Sequence, residues 1–222
     1  MSQLSDTAGV ADLPRILAVF PLPGSLLLPG GNLPLHIFEP RYRDMIRDTL
    51  GGKRIIGMIQ PQDPDMASAK PPLYRVGCIG KIMAFRETDD GRYYVTLSGI
   101  CRFDVKRELD TTTLYRQVEV DYDPWLGDFK SDTAPKLDRE KLIPALKAFL
   151  GHYDVKVNWD AIDQVPDDAL IRSLAMTCPF EAAEKQAILE AKTLAERSQL
   201  VLSLIEMANI PNVGGGDDRT LQ

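Results

Sequence analysis

The sequence predicts an α+β protein, with a partly closed β-barrel and one helix in its first part and an all-helical bundle in its second part. In residues 74–103 apolar and polar side chains alternate, which is the period of β-strands. Beyond residue 136 the apolar side chains recur every three or four positions, which is the period of helices. The predicted divisions are a flexible leader at 1–15, the barrel at 16–122, a linker at 123–136, the bundle at 137–208 and a disordered tail at 209–222.

Residues 20–38 form an apolar run that prolines divide into short extended segments. Proline lacks a backbone donor and clashes with the preceding helical turn, so a helix is excluded there. Strands in this part of the chain are expected to be short and buried, since they are apolar and end at Pro and Gly. The predicted strands are residues 16–20, 26–28, 33–38 and 55–59.

A helix is predicted from Pro40 to Leu50. Proline suits the first helical position because its φ is already helical and its missing donor is not needed there. Tyr42, Met45 and Ile46 follow the i, i+3, i+4 spacing of one buried face. Two glycines follow Leu50 and end the helix.

Residues 74–103 are predicted to form a β-hairpin about an Asp-Asp-Gly turn at 89–91. A hairpin that is symmetrical about this turn places apolar or small side chains of both strands on its inner face. A slip by one residue would put Arg102 and Ser98 in the core, so the pattern selects this register. A further strand is predicted at 114–120. The predicted cross-strand pairs are Val76 with Phe103, Cys78 with Cys101, Gly80 with Gly99, Ile82 with Leu97 and Ala84 with Val95.

Four helices are predicted in the second part of the chain. Pro144 should kink the first of them or mark its start. Thr193 and Glu196 fit a capping box that begins the last one, since each side chain can bond to the backbone of the other. The apolar faces of the four helices lie within residues 142–153, 167–176, 181–190 and 194–208.

The charge distribution argues against a nucleic-acid-binding protein. The 222 residues carry a formal net charge of −6, and residues 1–122 hold 15 Lys and Arg against 15 Asp and Glu. Neither part of the chain therefore offers the net basic surface that nucleic acids require. The three cysteines have no C-x-x-C spacing, which favours free thiols in a reducing cytoplasm over a zinc site. No stretch approaches the roughly 18 apolar residues of a membrane span.

Several motifs together resemble one known family. The run FPLPGSLLLPGGNLPLHIFEPRYRDMI at residues 20–46 is similar to the opening of the amino-terminal domain of Lon proteases. Residues 74–82 and 97–103 resemble the paired inner strands of that family, and residues 184–190 with Glu196 and Arg197 resemble its helical end. The resemblance spans roughly residues 16–208, nearly the whole chain.

This resemblance implies a PUA-like β pseudo-barrel followed by a helical bundle, and a role in binding protein substrates. In full-length Lon enzymes an ATPase module and a serine-lysine protease module follow this region. Because the present sequence ends at Gln222, we expect neither activity and no cofactor, and we expect the chain not to be an enzyme.

No set of residues predicts a catalytic or metal site. Gly51, Gly52 and Lys53 lack the other residues of a phosphate-binding loop and end a helix instead of opening one. His36 and His152 lie in no nucleophile or metal motif, and His36 is expected to be structural. Binding is therefore the more plausible function.

Apolar side chains in the first part of the chain are the candidate binding elements, because unfolded polypeptides are recognised mainly through apolar groups. Methionines are included because they adapt to varied partners, although a core position is the stronger interpretation for each of them. Glu39, Arg41 and Arg102 have two interpretations, an ion pair that ties the first helix to the sheet or a grip on a peptide backbone or carboxylate. The candidates, to which Met83 is added, are Leu26, Leu27, Leu28, Pro29, Pro34, Phe38, Glu39, Arg41, Tyr42, Met58, Met66 and Arg102.

Two function hypotheses follow. The first is a non-catalytic module that binds unfolded or damaged polypeptides, acting as an adaptor or regulator in protein quality control, with a separate protease or chaperone as a partner and a weak homodimer as a further expectation. The second is a PUA-like RNA-binding module, which the acidic charge balance makes the weaker one. A salt titration distinguishes them, because nucleic-acid binding weakens steeply with salt.

Overall fold

The computed structural model describes residues 12–63, 70–129, 137–153 and 158–210. The chain divides into two compact units, Met1–Ser131 and Asp132–Gln222. This division falls inside the predicted linker. Most of the predicted leader and tail, residues 130–136 of the predicted linker and the candidate Met66 lie outside the described residues.

The described part of the first unit contains six strands, one α-helix and one 3₁₀ segment. The sheet order is β2-β5-β4-β3-β1-β6, and β5 also pairs with β6. β1 and β3 run parallel, and every other pair of neighbours is antiparallel. The elements are β1 (Ile16–Pro21), β2 (Asn32–Ile37), α1 (Pro40–Leu50), β3 (Ile55–Ile59), β4 (Val76–Glu87), β5 (Tyr93–Glu108), β6 (Arg116–Asp121) and the 3₁₀ segment (Asp123–Phe129).

The length of β5 closes the sheet into a barrel. Its first part, residues 93–98, pairs with β2, and its last part, residues 104–108, pairs with β6. The ring β5-β4-β3-β1-β6 is therefore complete, and β2 is an added strand on the first part of β5. The core of this unit includes Leu17, Val19, Ile79, Phe103, Val118 and Val120. The predicted α+β class with a β-barrel in the first part of the chain is confirmed.

The leucine segment, residues 26–28, is buried but is not a strand, so that part of the sequence prediction is wrong. The segment leads into a close backbone crossing at Gly99. Gly30 N donates to Gly99 O at 2.9 Å, and Gly99 N donates to Gly31 O at 2.8 Å. A Cβ on Gly99 would overlap the Leu28 carbonyl oxygen. The missing side chain of Gly99 thus allows the two backbones to meet.

The register of the β4–β5 hairpin agrees with the prediction only in its middle. The two central pairs, those of Gly80 and Ile82, are as predicted. An irregularity on each side of them shifts the pairing by one residue, so that Cys78 lies opposite Arg102 and not opposite Cys101. Bulges of this kind add a residue to one strand, which simple alternation does not reveal. The predicted pairs of Cys78 with Cys101, Val76 with Phe103 and Ala84 with Val95 are wrong for this reason.

The described part of the second unit is entirely helical. Thr193 and Glu196 form the predicted capping box, since Glu196 N donates to Thr193 Oγ1 at 3.1 Å and the Glu196 carboxylate accepts from Thr193 N at 3.4 Å. Pro144 lies inside the first helix, which begins earlier, after Asp138. The short α3 was not predicted, because it has no buried residues to produce a periodic pattern. The helices are α2 (Arg139–Gly151), α3 (Trp159–Asp163), α4 (Asp167–Thr177), α5 (Ala182–Glu190) and α6 (Leu194–Ala208).

Candidate functional site

The outward face of β2, β5 and β4 carries a row of stacked side chains. The strand register places His36 opposite Tyr94, and Tyr94 opposite Arg86. The rings of His36 and Tyr94 stack with their centroids 4.5 Å apart and their planes 8° apart. The Arg86 guanidinium carbon lies 5.2 Å from the centroid of the Tyr94 ring. We call the concave surface formed by residues 34–36, 84–86 and 94–96 the aromatic groove.

The alternation of β5 explains why Tyr94 points outward. Tyr93, Val95 and Leu97 are buried, as predicted, so the residues between them lie on the opposite face. Ala84 was expected on the inner face, but the irregularity between Ile82 and Ala84 shifts the pairing, so that Ala84 lies exposed opposite Thr96. An aromatic residue at an outward position was the signal in the sequence that would have pointed to this groove.

Exposed aromatic side chains lie on and beside the aromatic groove. The exposed fractions are 58% for Phe38 and 44% for Tyr94, whereas Phe85, which lies opposite Val95, points to the other face of the sheet. The Phe38 ring centroid lies 5.7 Å from that of His36, so Phe38 extends the stacked row. Single exposed apolar residues are common on proteins, but a contiguous group usually marks an interaction surface.

The aromatic groove has a one-sided charge pattern. Arg86 is its only lining residue with a permanent charge, and no Asp or Glu lines it. Among the described residues, no carboxylate forms an ion pair with the Arg86 guanidinium, although other arginines there, such as Arg102, Arg107 and Arg116, have such partners. The groove is therefore apolar, aromatic and locally cationic.

A second arginine and aromatic pair lies at the middle of β5 and is buried. Arg102 is 4% exposed, and its guanidinium lies 4.0 Å from the Trp125 ring centroid. Asp128 accepts hydrogen bonds from the Arg102 backbone N–H at 2.8 Å and from its Nη2 at 2.6 Å. The Trp125 Nε1–H donates to Asp104 at 2.7 Å. We call Arg102, Trp125, Asp128 and Asp104 the buried clasp, because it fastens the 3₁₀ segment to β5.

The buried clasp corrects the predicted ion pair between Glu39 and Arg102. Glu39 instead pairs with Arg41 on its own helix terminus at 2.8 Å. The shifted register turns Arg102 toward the 3₁₀ segment, whose Asp128 satisfies the guanidinium. Burial, with a smaller contribution from the Asp128 charge, raises the pKa of the neighbouring Cys101 thiol. That cysteine is therefore a protonated core residue and not a nucleophile.

The remaining candidates divide into buried and accessible residues. The leucine segment, Tyr42 and Met58 are each at most 5% exposed, so in this structure they lie in the core. They pack the core because they lie on the apolar sides of their elements. Pro34 and Phe38 are exposed, and Pro29, Glu39 and Arg41 are partly exposed. Sequence reasoning missed Arg86 and Tyr94 and took His36 as structural.

Other chemistry has little support among the described residues. Within residues 12–63, 70–129, 137–153 and 158–210, no group of three or more His, Cys, Asp or Glu is arranged to hold a metal ion. In the same residues no helix is long and apolar enough to cross a membrane. The aromatic groove offers stacking, apolar contact and one cation, which suit ligand binding.

Comparison with known proteins identifies the family. The family model for the ATP-dependent protease La (LON) substrate-binding domain matches residues 16–207. The chain belongs to the LON substrate-binding domain family. Two solved structures share the fold of this LON domain: a Lon N-terminal domain protein from Xanthomonas campestris, with 23% identity, and the N-terminal domain of Lon protease from the Mycobacterium avium complex, with 17%. Each matches with a TM-score of 0.56, covering 85% and 86% of this chain and 97% and 98% of theirs.

Curated relatives of this LON domain are much longer proteins. Lon protease of Anaeromyxobacter dehalogenans is 24% identical over 87% of this chain, and Lon protease 2 of Myxococcus xanthus is 25% identical over 87%. The aligned part is only 23% and 24% of those two proteins. The chain thus spans about a quarter of the relatives that it matches, and the match covers the substrate-binding domain only.

Proposed function

We propose that this LON domain is a non-catalytic module that binds exposed segments of unfolded or damaged proteins through the aromatic groove. The observation that carries the proposal is the exposed row of the Phe38, His36 and Tyr94 rings on the outward face of the sheet. Unfolded chains expose apolar side chains, and a groove with exposed rings offers apolar contact area to them. The family description as a substrate-binding domain supports the same ligand class.

The cellular role belongs to the same proposal. The module acts in the cytoplasm as an adaptor or regulator of protein quality control, with a separate protease or chaperone as its partner, and self-associates weakly. The three cysteines are buried thiols in the two units, which supports a reducing compartment. Pro34 and Phe38, which lie in and beside the groove, are the sequence candidates best placed to contact a bound segment.

No observation favours the RNA-binding alternative. Exposed aromatic rings can stack on bases, but single-stranded nucleic acids also require a positively charged path for their phosphates. The groove offers only Arg86 as a permanent cation, and the sequence of residues 1–122 has no net charge. A polypeptide is the better match to this surface.

The test is binding of a permanently unfolded, carbamidomethylated protein to the full chain, measured by fluorescence anisotropy. Replacing an aromatic contact at the centre of an interface costs roughly 2 kcal/mol or more, so Phe38→Ser and Tyr94→Ser should each weaken binding at least about tenfold. Leu114→Ser is the matched control, because Leu114 is 68% exposed in the loop between β5 and β6 and lies outside the groove. Equal binding by all four proteins, or no binding by the unaltered chain, contradicts the proposal.

A further inference from the structure

Two arginines of the β4–β5 hairpin lie over aromatic rings and differ in their acidic partner. In the buried clasp, the Arg102 guanidinium lies 4.0 Å from the Trp125 ring centroid and binds the Asp128 carboxylate. In the aromatic groove, the Arg86 guanidinium lies 5.2 Å from the Tyr94 ring centroid, and no described residue forms an ion pair with it. The second pair therefore brings a guanidinium to an aromatic ring, as the first does, but without an acid.

The surroundings of Arg86 define the chemical group that could bind its guanidinium. A guanidinium held against an aromatic ring keeps its N–H edge available for a planar anion, and a carboxylate fits that edge with two parallel hydrogen bonds. No acidic residue lines the groove to compete for this position. The Tyr94 ring lies beside it, and the His36 and Phe38 rings continue the row, so these rings offer apolar area to a neighbouring side chain of the same ligand.

We propose that the aromatic groove selects polypeptide segments in which a carboxylate lies next to an aromatic or large apolar side chain, and that Arg86 is the residue that determines this specificity. The inference rests on the proposed function and adds the chemical class of the bound segment. The carboxylate comes either from an Asp or Glu side chain or from the end of a polypeptide chain. Both sources present the same planar anion to Arg86.

Four fluorescein-labelled peptides with one shared aromatic and apolar core test the inference on the full chain. One is uncharged and amidated, one carries an Asp beside the aromatic residue, one ends in a free carboxylate after it, and one carries a Lys. The unaltered protein should bind one or both carboxylate peptides about two- to fivefold more tightly than the uncharged one, the size expected of an exposed ion pair. The Lys peptide should bind most weakly.

Arg86→Gln should remove this preference, so that the carboxylate peptides and the uncharged peptide bind this variant alike, and Arg86→Lys should restore part of it. Arg107→Gln is the matched control, because Arg107 is an exposed arginine of β5 that pairs with Glu119 outside the groove. It should keep the full preference. The preference should also shrink in about 0.5 M salt, where exposed charges are screened.

The outcomes separate the two proposals. Equal binding of all four peptides by the unaltered protein overturns the selection for carboxylates and leaves the proposed function standing. Preserved selectivity in Arg86→Gln overturns the assignment to Arg86. Absence of binding to every peptide and to the unfolded protein contradicts the proposed function itself, and tighter binding of a single-stranded oligonucleotide than of any peptide overturns both.

Discussion

The first end and the middle of β5 have similar arginine and aromatic pairs in opposite surroundings. At the first end, Tyr94 with Arg86 across from it is exposed to solvent, and 44% of the tyrosine surface is accessible. At the middle, Arg102 and the Trp125 ring beside it are 4% and 3% exposed, because the 3₁₀ segment covers that part of the strand. The middle is a closed contact within the protein, and the first end is an open surface with residues of the same kind.

This difference shows that the role of an arginine and aromatic pair, in stability or in binding, depends more on whether another segment covers it than on its residue types. The cation, the ring and the carboxylate of the clasp are satisfied internally, so their removal affects stability. At the open end, exposure of Tyr94 and Arg86 to water costs little free energy, since both side chains are amphipathic. Substitutions there should change binding with little change in stability, and the following predictions test this separation.

Asp128→Asn should cause the largest loss of stability. It leaves the buried Arg102 guanidinium without a countercharge, and breaking such a pair by removal of one partner costs about 3–5 kcal/mol. Urea denaturation monitored by Trp fluorescence measures the change, and Trp159→Phe in both proteins leaves Trp125 as the reporter of the first unit. Arg86→Gln in the same background is the control, and its effect should stay within about 0.5 kcal/mol. A similar loss of stability in both variants would remove the distinction between the covered and the open part of β5.

Leu27→Ala should cause a slightly smaller loss of stability. It tests whether buried and exposed apolar candidates differ in their contribution to stability. Leu27 is 1% exposed, and truncation of a buried leucine destabilises by about 2–5 kcal/mol. Phe38→Ala is the matched comparison, since Phe38 is 58% exposed and should leave the free energy of unfolding almost unchanged. The same denaturation assay gives both values. Unchanged stability in Leu27→Ala would show that the leucine segment is not part of the core.

The sequence was sufficient for the elements that have a strong local signal. The helix that begins at Pro40, the hairpin turn at Gly91 and the capping box at Thr193 all occur as predicted. In each case the deciding interaction lies within a few residues, where proline geometry, a positive φ at glycine or a side-chain cap acts. The central pairs of the hairpin, around Gly80, were also predicted because alternation fixes the face of each residue.

The candidate site was mostly not predictable, because it depends on distant segments and on bulges. Arg102 became a buried residue only through Asp128, which is 26 positions away along the chain. Ala84 reached the outer face through an irregularity that alternation cannot show. Apolar residues such as Leu27 looked equally suited to the core and to binding, and only the tertiary fold distinguishes these two roles.

The smallest predicted effect is that of introducing a carboxylate of the protein itself beside Arg86. Ala84 is exposed on β4, two residues before Arg86 and on the same face of the sheet. In Ala84→Glu the new carboxylate should occupy the Arg86 guanidinium and repel an acidic ligand. The two- to fivefold preference for carboxylate peptides, typical of an exposed pair, should therefore disappear in the anisotropy assay.

Ala84→Gln is the matched control, because it adds a side chain of nearly the same size without charge. It should retain the preference, and both variants should unfold within about 0.5 kcal/mol of the unaltered chain, since the site is exposed. Preserved selectivity in Ala84→Glu would mean that the ligand carboxylate binds elsewhere than Arg86. Loss of selectivity in both variants would point to steric blocking of the groove. Loss of selectivity only in Ala84→Glu would mean that an acidic side chain of the protein can occupy the Arg86 guanidinium, as Asp128 occupies that of Arg102.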